Sequence, residues 1–127
     1  AVSFNTVVSQ VMKLPKNEGL SYGFTDSAKQ DRTIAWIPVG YADGYPRSLS
    51  NGVGKVCVGK GDKKFMAKVV GQVCMDLTAI DVSGENVKAG DPVELFGNEV
   101  SLNEVADKAG IISYELISRI HERVVRR

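Results

Sequence analysis

The stretch from residue 53 to residue 75, VGKVCVGKGDKKFMAKVVGQVCM, decides the fold because it holds two strand-forming runs joined by a short polar link. Residues 53–58 and 65–75 are rich in valine and other residues that favour β-strands. The link, GKGDKK over residues 59–64, contains two glycines and suits the turn of a hairpin. We therefore predict two antiparallel strands here.

Similar strand-like segments lie on both sides of this hairpin at short intervals. They cover residues 1–14, 33–39, 78–82 and 92–96. A regular series of short strands is typical of a barrel or a sandwich. The predicted fold class is mainly β, a small Greek-key type β-barrel with one or two short helices near the C-terminus.

Only the last quarter of the sequence has helical features. SLNE at residues 101–104 is a capping box, in which the Ser101 hydroxyl and the Glu104 carboxylate bind each other's backbone N–H groups. Gly110 then suits the end of that helix. Residues 113–121 place apolar side chains three or four positions apart, which predicts a second helix. Residues 122–127 are predicted to form a closing strand.

The composition is typical of a globular protein. Of the 127 residues, 43% are hydrophobic and 24% are charged, and 16 basic against 15 acidic residues give a net charge of +1. This charge is too small for a nucleic-acid partner, and the longest apolar run, residues 34–39, is far shorter than the roughly 20 residues that cross a membrane. We predict one domain over residues 1–127, cytoplasmic, with no membrane or nucleic-acid partner. Because Ala1 already lies in a strand-like pattern, we expect the chain to be a piece of a longer protein.

The two cysteines, Cys57 and Cys74, lie within apolar runs and lack the spacing of a zinc site or of a disulfide-rich secreted domain. Both are therefore expected to be buried, free thiols in a reducing compartment. No metal site is predicted.

The segment GYADGYPR, residues 40–47, follows an apolar strand and carries the most distinctive chemistry. Gly40 and Gly44 allow a sharp turn that would project the phenol of Tyr41 outward. Such a position suits a proton-transfer group, but a phenol needs neighbouring cations to act as a base near neutral pH, and only Arg47 is close in sequence. From chemistry alone, the simpler interpretation is a loop aromatic whose hydroxyl caps a turn.

Three segments resemble motifs of bacterial alanine racemases and occur in the same order as in that family. They are GYADGYPR at residues 40–47, VGQVCMD at 70–76 and ISYE at 112–115. Weaker matches lie at residues 21–23, 49–51, 90–93 and 123–126. Because these segments cover nearly the whole chain in order, the sequence resembles the C-terminal β domain of that family.

The resemblance implies a larger enzyme that interconverts L- and D-alanine. In that family an N-terminal barrel domain carries a lysine bound to pyridoxal 5'-phosphate, and the enzyme is a head-to-tail homodimer whose C-terminal domains complete the partner's active sites. Tyr41 would be the catalytic acid/base, on the face of a small amino-acid substrate opposite the lysine. Since the barrel lysine is missing, the isolated domain is expected to be inactive and not to bind the cofactor covalently.

The resemblance also assigns roles to Met75 and Tyr114. The backbone N–H of Met75 would bind the substrate carboxylate, and Tyr114 would contact the cofactor phosphate and narrow the substrate's access. Without the resemblance, Met75 would be core filling and Tyr114 a half-buried aromatic at a helix start. Gln72 stands where many relatives have arginine, which leaves substrate gating open. His121, the sole histidine, matches no catalytic position and is predicted to be structural or solvated.

Two alternative functions come from different observations. The first is the C-terminal domain of a fold-related pyridoxal-phosphate decarboxylase of basic amino acids, which places a cysteine near an aspartate, as Cys74 and Asp76 are here. GYADG argues against it. The second is a non-catalytic β-barrel module that binds peptide or nucleic acid, and the near-neutral charge argues against that one.

Overall fold

The computed structural model describes residues 3–15 and 31–124, and these residues form seven β-strands and two α-helices. The strands are β1 (Phe4–Val7), β2 (Gln10–Leu14), β3 (Arg32–Ile37), β4 (Lys55–Val58), β5 (Phe65–Val70), β6 (Thr78–Asp81) and β7 (Pro92–Phe96). The helices are α1 (Leu102–Ala109) and α2 (Ser113–Val124). The predicted fold class, mainly β with one or two helices near the C-terminus, is confirmed.

The hairpin predicted around residues 59–64 joins β4 to β5. Val56 pairs with Ala67 and Val58 pairs with Phe65 in an antiparallel register, and a short 3-10 turn at Gly61–Lys63 closes the link. Val56, Val58 and Ala67 are buried. The hairpin is therefore anchored by the same apolar residues that predicted it.

The strands form one curled sheet in the order β1-β7-β4-β5-β6-β3-β2, with antiparallel neighbours. Its edge strands, β1 and β2, are separated in sequence only by Val8 and Ser9, and so short a link spans at most about 10 Å. The Val8 N–H donates to the carbonyl of Asp91 beside β7 (2.9 Å), whereas the Ser9 N–H donates to that of Trp36 in β3 (2.8 Å). The two edges are thus drawn together into a half-barrel.

One main apolar core joins the sheet to the helices and to the loop that follows β3. β7 contributes Leu95 and Phe96, α2 contributes Leu116 and Ile120, and the loop contributes Tyr45. Burial of a large apolar side chain stabilises a fold by roughly 1.5–3 kcal/mol. The loop and α2 are therefore held in place by core packing as well as by hydrogen bonds.

The ends of α1 follow the predicted capping chemistry. The Ser101 hydroxyl accepts a hydrogen bond from the Glu104 N–H (3.4 Å), and Gly110 ends the helix in the left-handed region with φ +78°. The serine half of the capping box is thus present.

Two predicted strands were wrong in part. The strand predicted over residues 65–75 ends at Val70, because Gly71 turns the chain in the left-handed region (φ +64°). The predicted strand over residues 1–14 contains two separate strands within the described residues, since the chain changes its pairing partner between Val7 and Gln10.

The closing strand predicted over residues 122–127 was also wrong where the structure describes it. Residues 122–124 continue α2, and in the sequence Leu116, Ile120 and Val124 recur at the four-residue spacing of a helix. Residues 125–127 lie outside the described part of the chain, as do residues 1–2 and the weak motif at residues 21–23.

Candidate active site

Tyr41 begins a 3-10 turn, Tyr41–Asp43, that follows β3. Its side chain is 41% exposed. Directly before the turn, the buried hydroxyl of Thr78 donates to the Val39 carbonyl (2.6 Å) and ties the chain to β6. The phenol is therefore presented to solvent from a firmly held backbone.

The segment that carries Met75 lies against the start of this turn. The Tyr41 N–H donates to the Cys74 carbonyl (2.9 Å), and the Ala42 N–H donates to the Met75 carbonyl (2.9 Å). Gly40 allows this approach, since a Cβ there would lie 2.1 Å from the Cys74 oxygen and 2.4 Å from the Met75 oxygen. The structure thus brings Tyr41 and Met75 together through their backbones.

A buried carboxylate closes the turn. Asp43 is 0% exposed; its Oδ2 accepts a hydrogen bond from the Gly40 N–H (3.1 Å), and its own N–H donates to the Gly40 carbonyl (3.0 Å). This reciprocal pair satisfies both backbone polar groups of a buried glycine. The sequence interpretation did not identify Asp43, although a carboxylate three residues after the start of a turn is a known capping pattern.

Helix α2 supports the turn from the other side. Gly44 adopts a left-handed conformation (φ +97°), and a Cβ there would lie 2.8 Å from the carbonyl carbon of Arg119 and 2.9 Å from the nitrogen of Ile120. Only glycine satisfies both the conformation and the close contact. The two glycines that frame Tyr41 therefore serve two different backbone contacts.

Two arginines, Arg47 and Arg119, line the groove beside Tyr41. The guanidinium carbon of Arg47 lies 5.3 Å from the centroid of the Tyr41 ring, within the range of a cation–π contact. Arg119 borders the same groove and pairs with Glu115 at 2.6 Å. The groove is open, has a volume of about 520 Å³, and is lined by Tyr41, Ala42, Gly44, Tyr45, Pro46, Arg47 and Arg119. These groups suit proton exchange with a small anionic ligand.

The exposure and the backbone N–H of Met75 both bear on its predicted role. Its side chain is 54% exposed, so the core-filling interpretation was wrong. The neighbouring Cys74 N–H donates to the Leu77 carbonyl (3.0 Å), whereas the Met75 N–H donates to none of the described residues. The N–H of Met75 therefore has no hydrogen-bond partner among the described residues.

Tyr114 lies in the first turn of α2 and is 79% exposed, so the half-buried alternative was wrong. Among the residues that the structure describes, no hydrogen bond or ring contact joins Tyr114 to Tyr41 or Met75. His121 lies within α2, and its side chain is outside the described part of the chain.

Comparison with known proteins identifies the family. The model of the family "Alanine racemase, C-terminal domain" matches residues 1–127. The chain belongs to the alanine racemase C-terminal domain family.

Relatives and solved structures in this family match most of the chain. The alanine racemase of Methanococcus maripaludis is 40% identical over 131 residues, which cover 99% of this chain and 34% of the relative. The crystal structure of the biosynthetic alanine racemase from Pseudomonas aeruginosa matches with a TM-score of 0.86 and 36% identity, over 96% of this chain and 33% of that one. An alanine racemase from Bartonella henselae with covalently bound pyridoxal phosphate matches with a TM-score of 0.83 and 28% identity, over 93% and 32%. The chain thus spans about a third of the length of these proteins.

A contact that Ser50 makes with the segment before Met75 was not predicted. The hydroxyl of Ser50 accepts a hydrogen bond from the Val73 N–H (2.8 Å) and donates to the Arg47 carbonyl (2.6 Å). It therefore ties the loop after Tyr41 to the segment before Met75. The only signal in the sequence was the position of Ser50 in the weak match at residues 49–51.

The prediction that both cysteines are buried was half wrong. Cys57 and Cys74 are both free thiols, and Cys57 is buried, but Cys74 is exposed. Cys74 follows the end of β5 in the segment that lies against Tyr41, and not in a strand that packs on the core. Burial raises the pKa of the Cys57 thiol, and the carboxylates of Glu99 and Glu94 raise it further.

Within residues 3–15 and 31–124, no three or more histidine, cysteine, aspartate or glutamate residues are grouped so that they could hold a metal ion. In the same part of the chain, neither helix has the length and apolar character needed to cross a bilayer.

Proposed function

We propose that residues 1–127 are the C-terminal domain of a pyridoxal-phosphate-dependent alanine racemase, an isomerase that interconverts L- and D-alanine. Tyr41 is the acid/base that exchanges a proton with the α-carbon of the substrate. The observation that carries this proposal is a partly exposed phenol on a turn that is hydrogen-bonded to the segment of Met75. The alanine racemases among the relatives support it.

Met75 and Tyr41 act on different parts of one small amino acid. The free N–H of Met75 binds the substrate carboxylate, and the guanidinium of Arg47 adds positive charge next to the phenol. A substrate held by its carboxylate has its α-carbon in a defined place, so that proton transfer from a fixed phenol becomes effectively intramolecular.

The described residues do not form a complete holder for pyridoxal phosphate. The groove beside Tyr41 is open, and none of its lining residues is a lysine that could bind the cofactor covalently. We therefore assign the cofactor to an N-terminal barrel domain, with the exposed phenol of Tyr114 as a hydrogen-bond donor to its phosphate. The cofactor, when bound, delocalises the negative charge left on the substrate as the α-proton departs.

The exposure of the two tyrosines bears on the assembly. Tyr41 is 41% exposed and Tyr114 is 79% exposed, so both side chains can contact another domain or subunit. We assign that contact to the barrel domain of a second subunit in a cytoplasmic homodimer. The isolated domain is accordingly inactive, because one proton carrier without cofactor or barrel lysine cannot invert a stereocentre.

The test is Tyr41→Phe in this chain joined to its barrel domain and loaded with pyridoxal phosphate. Racemisation should fall by a factor on the order of 10² to 10⁴ in both directions, the usual contribution of a positioned acid/base, with the cofactor absorbance unchanged. The matched control is Ser48→Ala, which removes a hydroxyl that lies in the same loop but outside this groove, where it donates to the Ala109 carbonyl (2.8 Å), and it should leave the rate intact. An unchanged rate in Tyr41→Phe would refute the proposal, and release of CO₂ from a basic amino acid would support the decarboxylase alternative.

A further inference from the structure

Asp43 is buried in the turn that carries Tyr41 but does not line the groove beside the phenol. We propose that Asp43 is a positioning residue, whose carboxylate fixes the direction of the Tyr41 phenol through the backbone of Gly40. This inference rests on the proposed function of Tyr41 and names a further residue on which that function depends.

The need for such a residue follows from Gly40. A side chain at position 40 would collide with the Cys74 carbonyl, so the residue directly before Tyr41 has to be glycine. Glycine has the widest backbone freedom of any residue, and rotation at Gly40 would swing the phenol of Tyr41. The clearance that brings Cys74 close would, by itself, leave the phenol poorly directed.

The carboxylate of Asp43 removes this freedom. Its Oδ2 holds the Gly40 N–H at 3.1 Å, while the Asp43 N–H holds the Gly40 carbonyl at 3.0 Å. The peptide that joins Gly40 to Tyr41 is then held at its other end by the bond from the Tyr41 N–H to the Cys74 carbonyl. The Tyr41 carbonyl accepts a further bond from the Gly44 N–H (3.1 Å).

The choice of a carboxylate also favours a directional role over packing. A buried carboxylate is expensive to desolvate, and an apolar side chain would fill the same space at lower cost. The Oδ2 of Asp43 accepts the Gly40 N–H in a fixed direction, which an apolar side chain of the same size could not do. Asp43 therefore restrains the orientation of Gly40, which an apolar side chain that only filled the space would not do.

The experiment uses Asp43→Asn and Asp43→Ala in this chain joined to its barrel domain and loaded with pyridoxal phosphate. Each variant is incubated in D₂O with L-alanine and, separately, with D-alanine, and uptake of deuterium at the α-carbon is followed before the enantiomer converts. Tyr41→Phe first identifies the enantiomer whose exchange depends on Tyr41. The ratio of the two exchange rates does not depend on the fraction of enzyme that folds.

The expected result is a loss confined to the Tyr41-dependent enantiomer. A displacement of about 1 Å can reduce a rate by roughly 10²-fold, so Asp43→Ala should lower that exchange by a factor of this order, and Asp43→Asn severalfold. The other enantiomer's exchange and the KM should change little. In the Tyr41→Phe background, Asp43→Ala should cause no further loss.

A second readout does not involve turnover. In the same full-length protein without substrate, amide hydrogen exchange of peptides that span residues 40–45 should accelerate in both Asp43 variants. Asp91→Ala is the matched control, because the Asp91 carboxylate accepts a comparable hydrogen bond from the Lys88 N–H (3.0 Å) outside this turn. It should change neither the amide exchange at residues 40–45 nor the ratio of exchange rates.

The outcomes separate this inference from the proposed function. If Tyr41→Phe alters exchange of neither enantiomer, the role of Tyr41 fails first. If Tyr41→Phe abolishes one exchange but Asp43→Asn leaves the ratio of rates unchanged, Asp43 is not a positioning residue. Should Asp43→Ala fail to fold, the ratio in Asp43→Asn decides alone.

Discussion

The carbonyl oxygen of Cys74 lies only 2.1 Å from the place where a Cβ at Gly40 would be. Two backbone segments distant in sequence, one leading to Tyr41 and one leading to Met75, thus approach as closely as hydrogen-bonded strands do. Tyr41, the proposed proton carrier, and Met75, whose N–H is proposed to bind the substrate carboxylate, lie on two segments that backbone hydrogen bonds hold together.

Gly40→Ala tests this contact. Because the obstacle is backbone oxygen and not a flexible side chain, we expect the free energy of unfolding to fall by at least about 2 kcal/mol and racemisation in the full-length enzyme to fall with it. Gly84→Ala is the control: Gly84 has φ +82° and open space around it, so that only the left-handed strain of about 1 kcal/mol applies. Equal losses in the two variants, measured by urea unfolding, would contradict the close contact.

Met75→Pro and Met75→Ala separate the backbone of Met75 from its side chain. Proline removes the N–H, and loss of a hydrogen bond to a charged group costs about 1.5–3 kcal/mol, so the KM for alanine should rise by roughly 10- to 100-fold. Alanine keeps the N–H and should change the KM little. An equally large effect of Met75→Ala, in steady-state kinetics of the full-length enzyme, would show that the side chain is what matters.

The two thiols should differ in their reaction with iodoacetamide. Cys74 is exposed and should be alkylated quickly in the folded chain, whereas Cys57 is buried and its pKa is raised, which lowers the fraction of reactive thiolate. Mass spectrometry after digestion measures both sites. In Cys74→Ser the folded chain should take up almost no label until it is unfolded, and rapid labelling of Cys57 would argue against its buried position.

Tyr45→Phe should stabilise the chain at neutral pH. The Tyr45 hydroxyl is buried and has no hydrogen-bond partner among the described residues, and an unsatisfied buried polar group costs on the order of 1 kcal/mol. We expect the free energy of unfolding to rise by about that amount. A fall of similar size would reveal a partner for the hydroxyl.

The same variant should change the response to alkaline pH. Burial raises the pKa of Tyr45 well above the usual value of about 10, so the unfolded chain loses this proton at a lower pH than the folded chain. The ionisation of Tyr45 therefore leaves the free energy of unfolding unchanged below about pH 10 and lowers it above that pH, by up to about 1.4 kcal/mol per pH unit. Urea unfolding between about pH 9 and about pH 11 should show a shallower decline in Tyr45→Phe, and parallel declines would contradict the assignment.

The sequence was enough to predict the elements whose formation depends on residues close to each other in the chain. The strand at residues 92–96 and the caps of α1 at Ser101 and Gly110 depend on neighbours a few positions away. The strand predicted over residues 71–75 was wrong because its fate depends on distant contacts. These residues are as strand-like in composition as β5, but Gly71 turns the chain and the Val73 N–H donates to the hydroxyl of Ser50, which is distant in sequence.

The site shows the same division. Gly40 and Gly44 predicted a sharp turn that exposes Tyr41, and the turn is present. The roles of Asp43 and Ser50 could not be predicted, because each depends on where a folded segment places a backbone group. That Tyr41 and Met75 belong to one site was predicted from the family resemblance, because no spacing within the chain indicates it.

The two-residue link at Val8 and Ser9 has a consequence for the borders of the sheet. Exposed strand borders invite pairing with other chains, yet here both borders belong to one short run of backbone that pairs first with β7 and then with β3. The two edge strands of the half-barrel are therefore joined covalently by this link. A strand from another chain could separate the two edges only by breaking the hydrogen bonds that Val8 donates to Asp91 and Ser9 donates to Trp36.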